Sequence, residues 1–348
     1  MKTYLVTGGA GFIGSNFVEF LLNRYESIEI IILDKLTYAG NLKNLENAIK
    51  NERVEFVKGD ICNRELVENI FSRYEIDYIV NFAAESHVDN SIESPMIFTK
   101  TNILGTQNLM DVAKKFWSIG KDDENYPIYK VGKKFLQIST DEVYGSLEKS
   151  FDREREIILD EKKILAYGDN FFDEESKISP RSPYSASKAS ADILSLSYFH
   201  TYRFPINITR CSNNYGEHQH EEKLIPKIIK YIEEGRDIPI YGDGKNVRDW
   251  LYVGDHASAI DLVLNFGKLG EIYNIGGFNE KTNIDIVKII SRTMGKEANI
   301  SYVSDRLGHD RRYAINPSKI VKELGWKPKM DFEKGIEKTI EECLGREK

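Results

Sequence analysis

Cysteine is scarce in this 348-residue chain: Cys62, Cys211 and Cys343 are widely separated and odd in number. With no Cys-x-x-Cys pair they make neither a disulfide framework nor a thiolate zinc site, and reduced thiols in a cytoplasmic protein are expected. Long apolar runs are missing as well. No stretch approaches the roughly 18–20 residues of a membrane span. The N-terminal MKTYLVTGGAGF enters structure directly, without the apolar region and cleavage site of a secretory signal. Positive charge is not in excess: 48 Lys and Arg against 55 Asp and Glu leave a net charge of −7, which gives no footing for nucleic acid. Repeats and low-complexity tracts are absent. His218 and His220 beside Glu221 and Glu222 lack a structural metal-site spacing and read as a solvated loop, so no metal is expected.

What is present is an ordinary globular composition, 41% hydrophobic and 30% charged, long enough for two domains. Short, nearly continuous β-branched runs at 3–7, 28–33, 54–57, 78–82, 135–139 and 206–210 predict parallel strands buried on both faces. Helix-period segments at 12–25, 63–74, 95–116 and 184–202 alternate with them, which implies right-handed crossovers and a doubly wound α/β sheet of Rossmann type. Beyond residue 210 the order loosens into a smaller α/β part. The expected division is 1–210, with 247–275 returning to it, against 211–246 and 276–348. The charged stretch 147–177 has no clean period and reads as a surface insertion.

Thr7-Gly8-Gly9-Ala10-Gly11-Phe12-Ile13-Gly14 lies between the first strand and the first helix. Gly8 permits a tight turn, Gly11 lets backbone approach a pyrophosphate, and Gly14 allows close packing of helix on strand. The helix N-terminus then faces the phosphates with free N–H groups. Asp34 ends the second strand, twenty residues past Gly14. A carboxylate there accepts from the adenosine ribose hydroxyls and repels a 2′-phosphate, so NAD is expected over NADP; a bare turn cap is the plainer role.

Tyr184-Ser185-Ala186-Ser187-Lys188 sets a phenol and an ammonium four residues apart on one helix face. Bringing a phenol from its usual pKa of about 10 to near neutrality takes roughly 4 kcal/mol, which a neighbouring ammonium and a cationic nicotinamide favour. The pair reads as the proton acceptor of an alcohol oxidation, and Ser139-Thr140 at the end of the fifth strand can complete the hydrogen-bond relay.

The glycine string, the strand-end Ser-Thr and Tyr-x-x-x-Lys together resemble the extended short-chain dehydrogenase/reductase family. Ser139-Thr140-Asp141-Glu142-Val143-Tyr144-Gly145 is similar to its nucleotide-sugar 4,6-dehydratases, and further similar segments run to about Tyr313. The resemblance implies that dTDP-glucose is oxidised at C4, loses water across C5 and C6, and is reduced at C6. Glu142 is then the C5 base, Asp141 the C6 acid, Tyr184 the acceptor of the 4-hydroxyl proton, Thr140 a partner of the C4 oxygen and Lys188 the grip on the nicotinamide ribose.

The same resemblance implies cofactor contacts from Phe12, Ile13, Lys35, Thr37, Asp60, Ile61, Phe82, Ala83, Ala84, Ser86, Thr101 and Asn214. For the substrate it implies Asn213, Lys223, Leu224, Arg248 and Arg306, or in its place Arg311 or Arg312, around the diphosphate. Ser86 is implied as a substrate contact as well, and Pro239, Tyr241, Asn283 and His309 lie by the base and ribose. The chain departs from the family pattern at Asn90, 217–221 and Leu307. Alternatives are a UDP-glucose dehydratase, an epimerase or decarboxylase on the same scaffold, and a catalytically silent NAD-binding sensor. A homodimer through the helices at 95–116 and 184–202 is also implied, with no membrane partner.

Overall fold

The computed structural model describes residues 1–147, 151–305 and 308–345. Seven parallel strands form the central sheet: β1 Lys2–Thr7, β2 Ile28–Asp34, β3 Val54–Lys58, β4 Tyr78–Asn81, β5 Lys134–Thr140, β6 Ile206–Cys211 and β7 Ile272–Ile275. Their order is β7-β6-β5-β4-β1-β2-β3, so the connection reverses between β1 and β4, where such sheets open a crevice at the strand C-termini. Leu5 lies level with Ile31 on one side and Ile79 on the other.

Alternation along each strand fills both faces. Tyr4, Val6, Ile30, Ile32 and Val80 enter one core with the helices α1 Phe12–Arg24 and, later in the chain, Val253–Phe266. Leu5, Ile31, Leu33 and Ile79 enter the other, against α2 Arg64–Arg73, α3 Thr106–Trp117 and α4 Pro183–Tyr202. The helix starts are written locally. Asn63 caps α2 by accepting from the Leu66 N–H at 3.1 Å, and Ser182 and Ser185 form a reciprocal capping box ahead of α4.

Three expectations need correction. Of the stretch 247–275, expected to return to the first unit, Ile272–Ile275 edges the main sheet beside β6, whereas Val247–Tyr252 pairs in a separate three-stranded sheet. The single helix expected at 95–116 is three pieces: Pro95–Phe98, a π-helical Thr99–Gly105 and α3. The widened turn carries Asn102 inward, where its amide donates to the Glu85 carbonyl at 3.0 Å and to Ser187 Oγ at 2.8 Å, and its oxygen accepts from the Glu85 N–H. Finally, 147–177 is only partly a surface insertion. A hairpin, Arg155–Leu159 with Lys162–Ala166, leaves Ile158 exposed. The returning arm is built in: Phe172 bonds the backbone of Ala314 and stacks on Tyr144 with ring centroids 5.2 Å apart.

A third core holds the smaller unit, with Ile225, Ile228 and Ile229 packed against Ile286, Ile290 and Ile336. Val247–Tyr252 pairs there with Asn213–Tyr215 and Glu280–Thr282 in a separate three-stranded sheet, while Leu251 packs into the first core. No helix among the described residues is long and apolar enough to cross a membrane.

Candidate active site

The cleft starts where β1 turns into α1. Gly8 has φ +69°, and a Cβ there would lie 2.6 Å from the Ala83 nitrogen; one on Gly14 would run into the Gly8 carbonyl. Neither position admits a side chain, so strand, turn and helix close together. Gly11 precedes α1 with no side-chain cap and no acidic residue in the first turn, which leaves the helix N–H groups and their partial positive charge facing open space. Asp34 is buried at the end of β2. One carboxylate oxygen accepts from the Ala10 N–H at 2.9 Å and the other from the Leu36 N–H at 2.7 Å. It therefore caps the following turn, and each oxygen keeps a second lone pair for a ligand hydroxyl. Burial raises its pKa, and the two N–H groups oppose that rise. Beside it Lys35 pairs with Asp60 at 2.9 Å. These residues fit a dinucleotide: a close-approach turn, an open helix end and a carboxylate at ribose distance along the fold.

The reacting groups stand at the end of β5. Thr140 Oγ1 accepts from the Glu142 N–H at 3.3 Å and so caps a 3-10 turn, Asp141–Tyr144. Asp141 is 2% exposed and its Oδ2 is buried with no hydrogen-bond partner. Burial, then the charges of Glu142 and Asp249, push its pKa well above the carboxylate range, with Arg248 pulling the other way. A protonated Asp141 beside Glu142 is a proton donor next to a carboxylate. Tyr184 and Lys188 project from the first turns of α4. Lys188 Nζ donates to the Ile138 carbonyl at 2.5 Å. Burial lowers its pKa, against the charge of Asp192.

Tyr184 does not behave as the spacing to Lys188 suggests. Burial, then Glu142, Cys211 and Asp141, drive its pKa well above 10. The expected lowering is absent because four residues along a helix set a neighbourhood, whereas burial and two carboxyl groups come from other elements. A phenolate here therefore requires positive charge beyond what the chain supplies.

The cleft collects the whole of the expected cofactor set: Gly8, Gly11, Phe12, Ile13, Gly14, Asp34, Lys35, Thr37, Asp60, Ile61, Phe82, Ala83, Ala84, Ser86, Thr101, Tyr184, Lys188 and Asn214 all line it. Thr140, Asp141, Glu142, Asn213 and Lys223 line it too, with Lys223 Nζ 3.4 Å from the Ser86 carbonyl. Leu224 opens the helix Leu224–Glu233 beside Lys223, outside the lining. Pro239 and Tyr241 lie on the strand Ile238–Tyr241, and the Tyr241 ring meets His309 edge-on at 6.3 Å. Asn283 begins the helix Asn283–Met294, its N–H on the Asn246 carbonyl. Arg248 is buried, donates to the Val247 and Asp310 carbonyls and stacks over Tyr313. Arg306 and Leu307 lie outside the described residues.

Of the alternatives to Arg306, Arg311 pairs with Asp243 at 2.8 Å and stays half-buried. Arg312 is not a diphosphate ligand. It is 0% exposed, holds Glu280 through two nitrogens at 2.6 and 3.0 Å, and donates to the Gly168 and Asn170 carbonyls. Its donors are consumed by Glu280 and by the arm of the 147–177 segment. In the replaced loop, His218 Nδ1 meets Ser15 Oγ at 3.0 Å, and His220 and His87 both lie 3.7 Å from Glu222.

Sequence reasoning missed several groups. Asp249 acts on Asp141 from the smaller sheet. Asp192 and Arg210 lie beneath the cleft as a buried pair, 2.9 Å apart. Of these only Asp192 carried a sequence signal, one turn after Lys188 on the same helix.

Comparison with known proteins agrees with this geometry. The NAD dependent epimerase/dehydratase family matches residues 4–276. The chain is 46% identical over 346 residues to dTDP-glucose 4,6-dehydratase of Salmonella typhimurium, covering 97% of this chain and 91% of that protein. Among solved structures, the NAD complex of dTDP-glucose 4,6-dehydratase from Bacillus anthracis matches with a TM-score of 0.84 and 46% identity, over 100% of this chain and 98% of that one. DesIV, the dTDP-glucose 4,6-dehydratase of Streptomyces venezuelae, solved with NAD and TYD bound, matches at 0.86 and 40% identity, over 99% and 97%. By fold, by the residues gathered in its cleft and by likeness along its length, this chain belongs to the NAD-dependent epimerase/dehydratase family.

Proposed function

We propose that the chain catalyses the NAD-dependent dehydration of dTDP-glucose to dTDP-4-dehydro-6-deoxyglucose, a hydro-lyase reaction that feeds deoxysugar biosynthesis. The observation that carries this reading is the carboxyl pair Asp141–Glu142, which lines the cleft with Thr140 and Tyr184, Asp141 being buried and driven by that burial toward its protonated form. Alcohol oxidation alone, or epimerisation through a 4-keto sugar, has no use for a carboxylic acid next to a carboxylate.

NAD, when bound, accepts the hydride from sugar C4 and returns it to C6. The chain does the rest. Gly8, Gly11 and the α1 N-terminus hold the pyrophosphate, Asp34 the adenosine ribose and Lys188 the nicotinamide ribose. Tyr184 takes the proton of the 4-hydroxyl while Thr140 bonds the C4 oxygen. The resulting ketone acidifies the C5 proton, which Glu142 removes as Asp141 protonates the departing C6 hydroxyl. The stretch 1–210 with 247–275 serves the dinucleotide, and 211–246 with 276–348 the nucleotide of the sugar. Asn213, Lys223 and Arg248 offer the cationic and polar side for the diphosphate.

The exposed apolar residues Met96, Ile97, Leu104 and Ile193, on the π-interrupted helix and α4, support a homodimer through these helices. A cytoplasmic location accords with the reduced cysteines.

Separate incubation with dTDP-, UDP-, CDP- and GDP-glucose, followed by mass spectrometry, tests the assignment. Loss of one water from dTDP-glucose with no added reductant is the expected result. Water loss from UDP-glucose in preference would move the substrate, and no water loss from any of the four would overturn the reaction.

A further inference from the structure

Directly under the floor of the cleft lies a charged assembly that the reaction outlined above does not use. Asp192 is 0% exposed and sits one helical turn after Lys188 on α4. Its Oδ2 accepts from Arg210 Nε of β6 at 2.9 Å and from Ser139 Oγ of β5 at 2.9 Å, while Oδ1 is buried without a partner. Arg210 in turn lies over the Tyr144 ring, 4.8 Å from its centroid, and Tyr144 is the last residue of the turn that carries Asp141 and Glu142. A buried ion pair of this kind is a poor source of net stability, because desolvation of both charges offsets their attraction. Its placement, one turn from Lys188 at one end and against the Tyr144 ring at the other, calls for a different role.

We propose that Asp192 is a positioning residue for the oxidation step: clamped by Arg210 and Ser139, it sets a fixed negative charge one turn behind Lys188 and holds that ammonium, and through it Tyr184, in working alignment. This rests on the roles given to Lys188 and Tyr184 above. Burial pushes Lys188 toward its neutral form, and Asp192 is the foremost charge opposing that. Burial also pushes Asp192 up, with Arg210 drawing it back toward the carboxylate. The other titratable groups around the pair are Cys211 on β6, Asp141, Glu142 and Tyr144 on the turn, and Tyr38 from the loop after β2.

The test is the pH dependence of kcat/KM for Asp192→Asn. Removing the negative charge lowers the pKa of both a nearby ammonium and a nearby phenol, so both limbs of the profile are expected to move to lower pH by about one unit. That is roughly a tenfold loss at a fixed alkaline pH. Asp192→Glu is expected to restore the alkaline limb. Should Asp192→Asn fail to fold, the double variant Asp192→Asn/Arg210→Gln removes both buried charges and is expected to show a smaller alkaline displacement in the same direction, because the nearer charge, Asp192, outweighs Arg210. A profile that superimposes on the native one after scaling by a single factor overturns the proposal. Lys188→Met separates the two readings: if it retains turnover, the assignment of Lys188 itself fails, whatever Asp192 does.

Discussion

Asp34 Oδ2 accepts the Ala10 N–H at 2.9 Å, tying the end of β2 to the turn between β1 and α1. One carboxylate thus shapes the phosphate turn and presents its remaining lone pairs to a ribose. Asp34→Ala is expected to weaken NAD binding about ten- to a hundredfold, the worth of a charge-assisted hydrogen bond plus a loosened turn. The same change should narrow the preference for NAD over NADP. Calorimetric titration with both dinucleotides measures it; unchanged NAD affinity would leave Asp34 a turn cap only.

Glu142→Gln should abolish removal of the C5 proton while leaving C4 oxidation possible. With substrate deuterated at C5, exchange with solvent is expected to stop. If exchange runs at the native rate, another group is the base.

Asp141 offers a prediction in which activity and stability part. An unfolded aspartate ionises near 4, whereas the folded Asp141 keeps its proton to a much higher pH. Folding binds a proton between those two values, so stability falls as pH rises through that window. Asp141→Asn removes the penalty along with the acid. Its Tm at pH 8 is expected to equal or exceed that of the native protein, with turnover reduced by about 100-fold or more. A lower Tm at pH 8 together with native turnover would contradict both halves.

Arg312 and Glu280 pair in the interior, both nearly inaccessible. Arg312→Met strands a buried carboxylate and is expected to destabilise by about 3–5 kcal/mol, read from urea unfolding. Substrate KM in whatever fraction remains folded should stay within about twofold, since no phosphate contact is lost. A large KM increase at native stability would return Arg312 to the diphosphate.

Much of this was legible before any coordinates. The six leading strands, the turn at Gly8–Gly14 and Asp34 announce themselves, because each depends on spacing within one element or across one turn, whereas the Thr140–Glu142 segment, and Tyr184 with Lys188, stand out by their resemblance to a family pattern. Periodicity needs only neighbours, and a glycine's freedom is intrinsic to the residue. The π-helical turn at 99–105 was not legible: it exists because Asn102 finds Glu85 and Ser187, partners that no local pattern names.

Charge behaved the same way. The chain alone established an acidic protein with a few basic residues near the nucleotide segments, and it named the carboxyls and the phenol. Which way each is pushed depends on packing. Burial, then Glu142 and Asp249, push Asp141 toward its protonated form, and burial with two carboxyl groups holds Tyr184 above its usual range. Arg312 became a structural ion pair because a returning arm closes over it. Residue types and short spacings are properties of the chain; desolvation and long-range partners come into being only when distant segments meet, and those set the protonation and the roles.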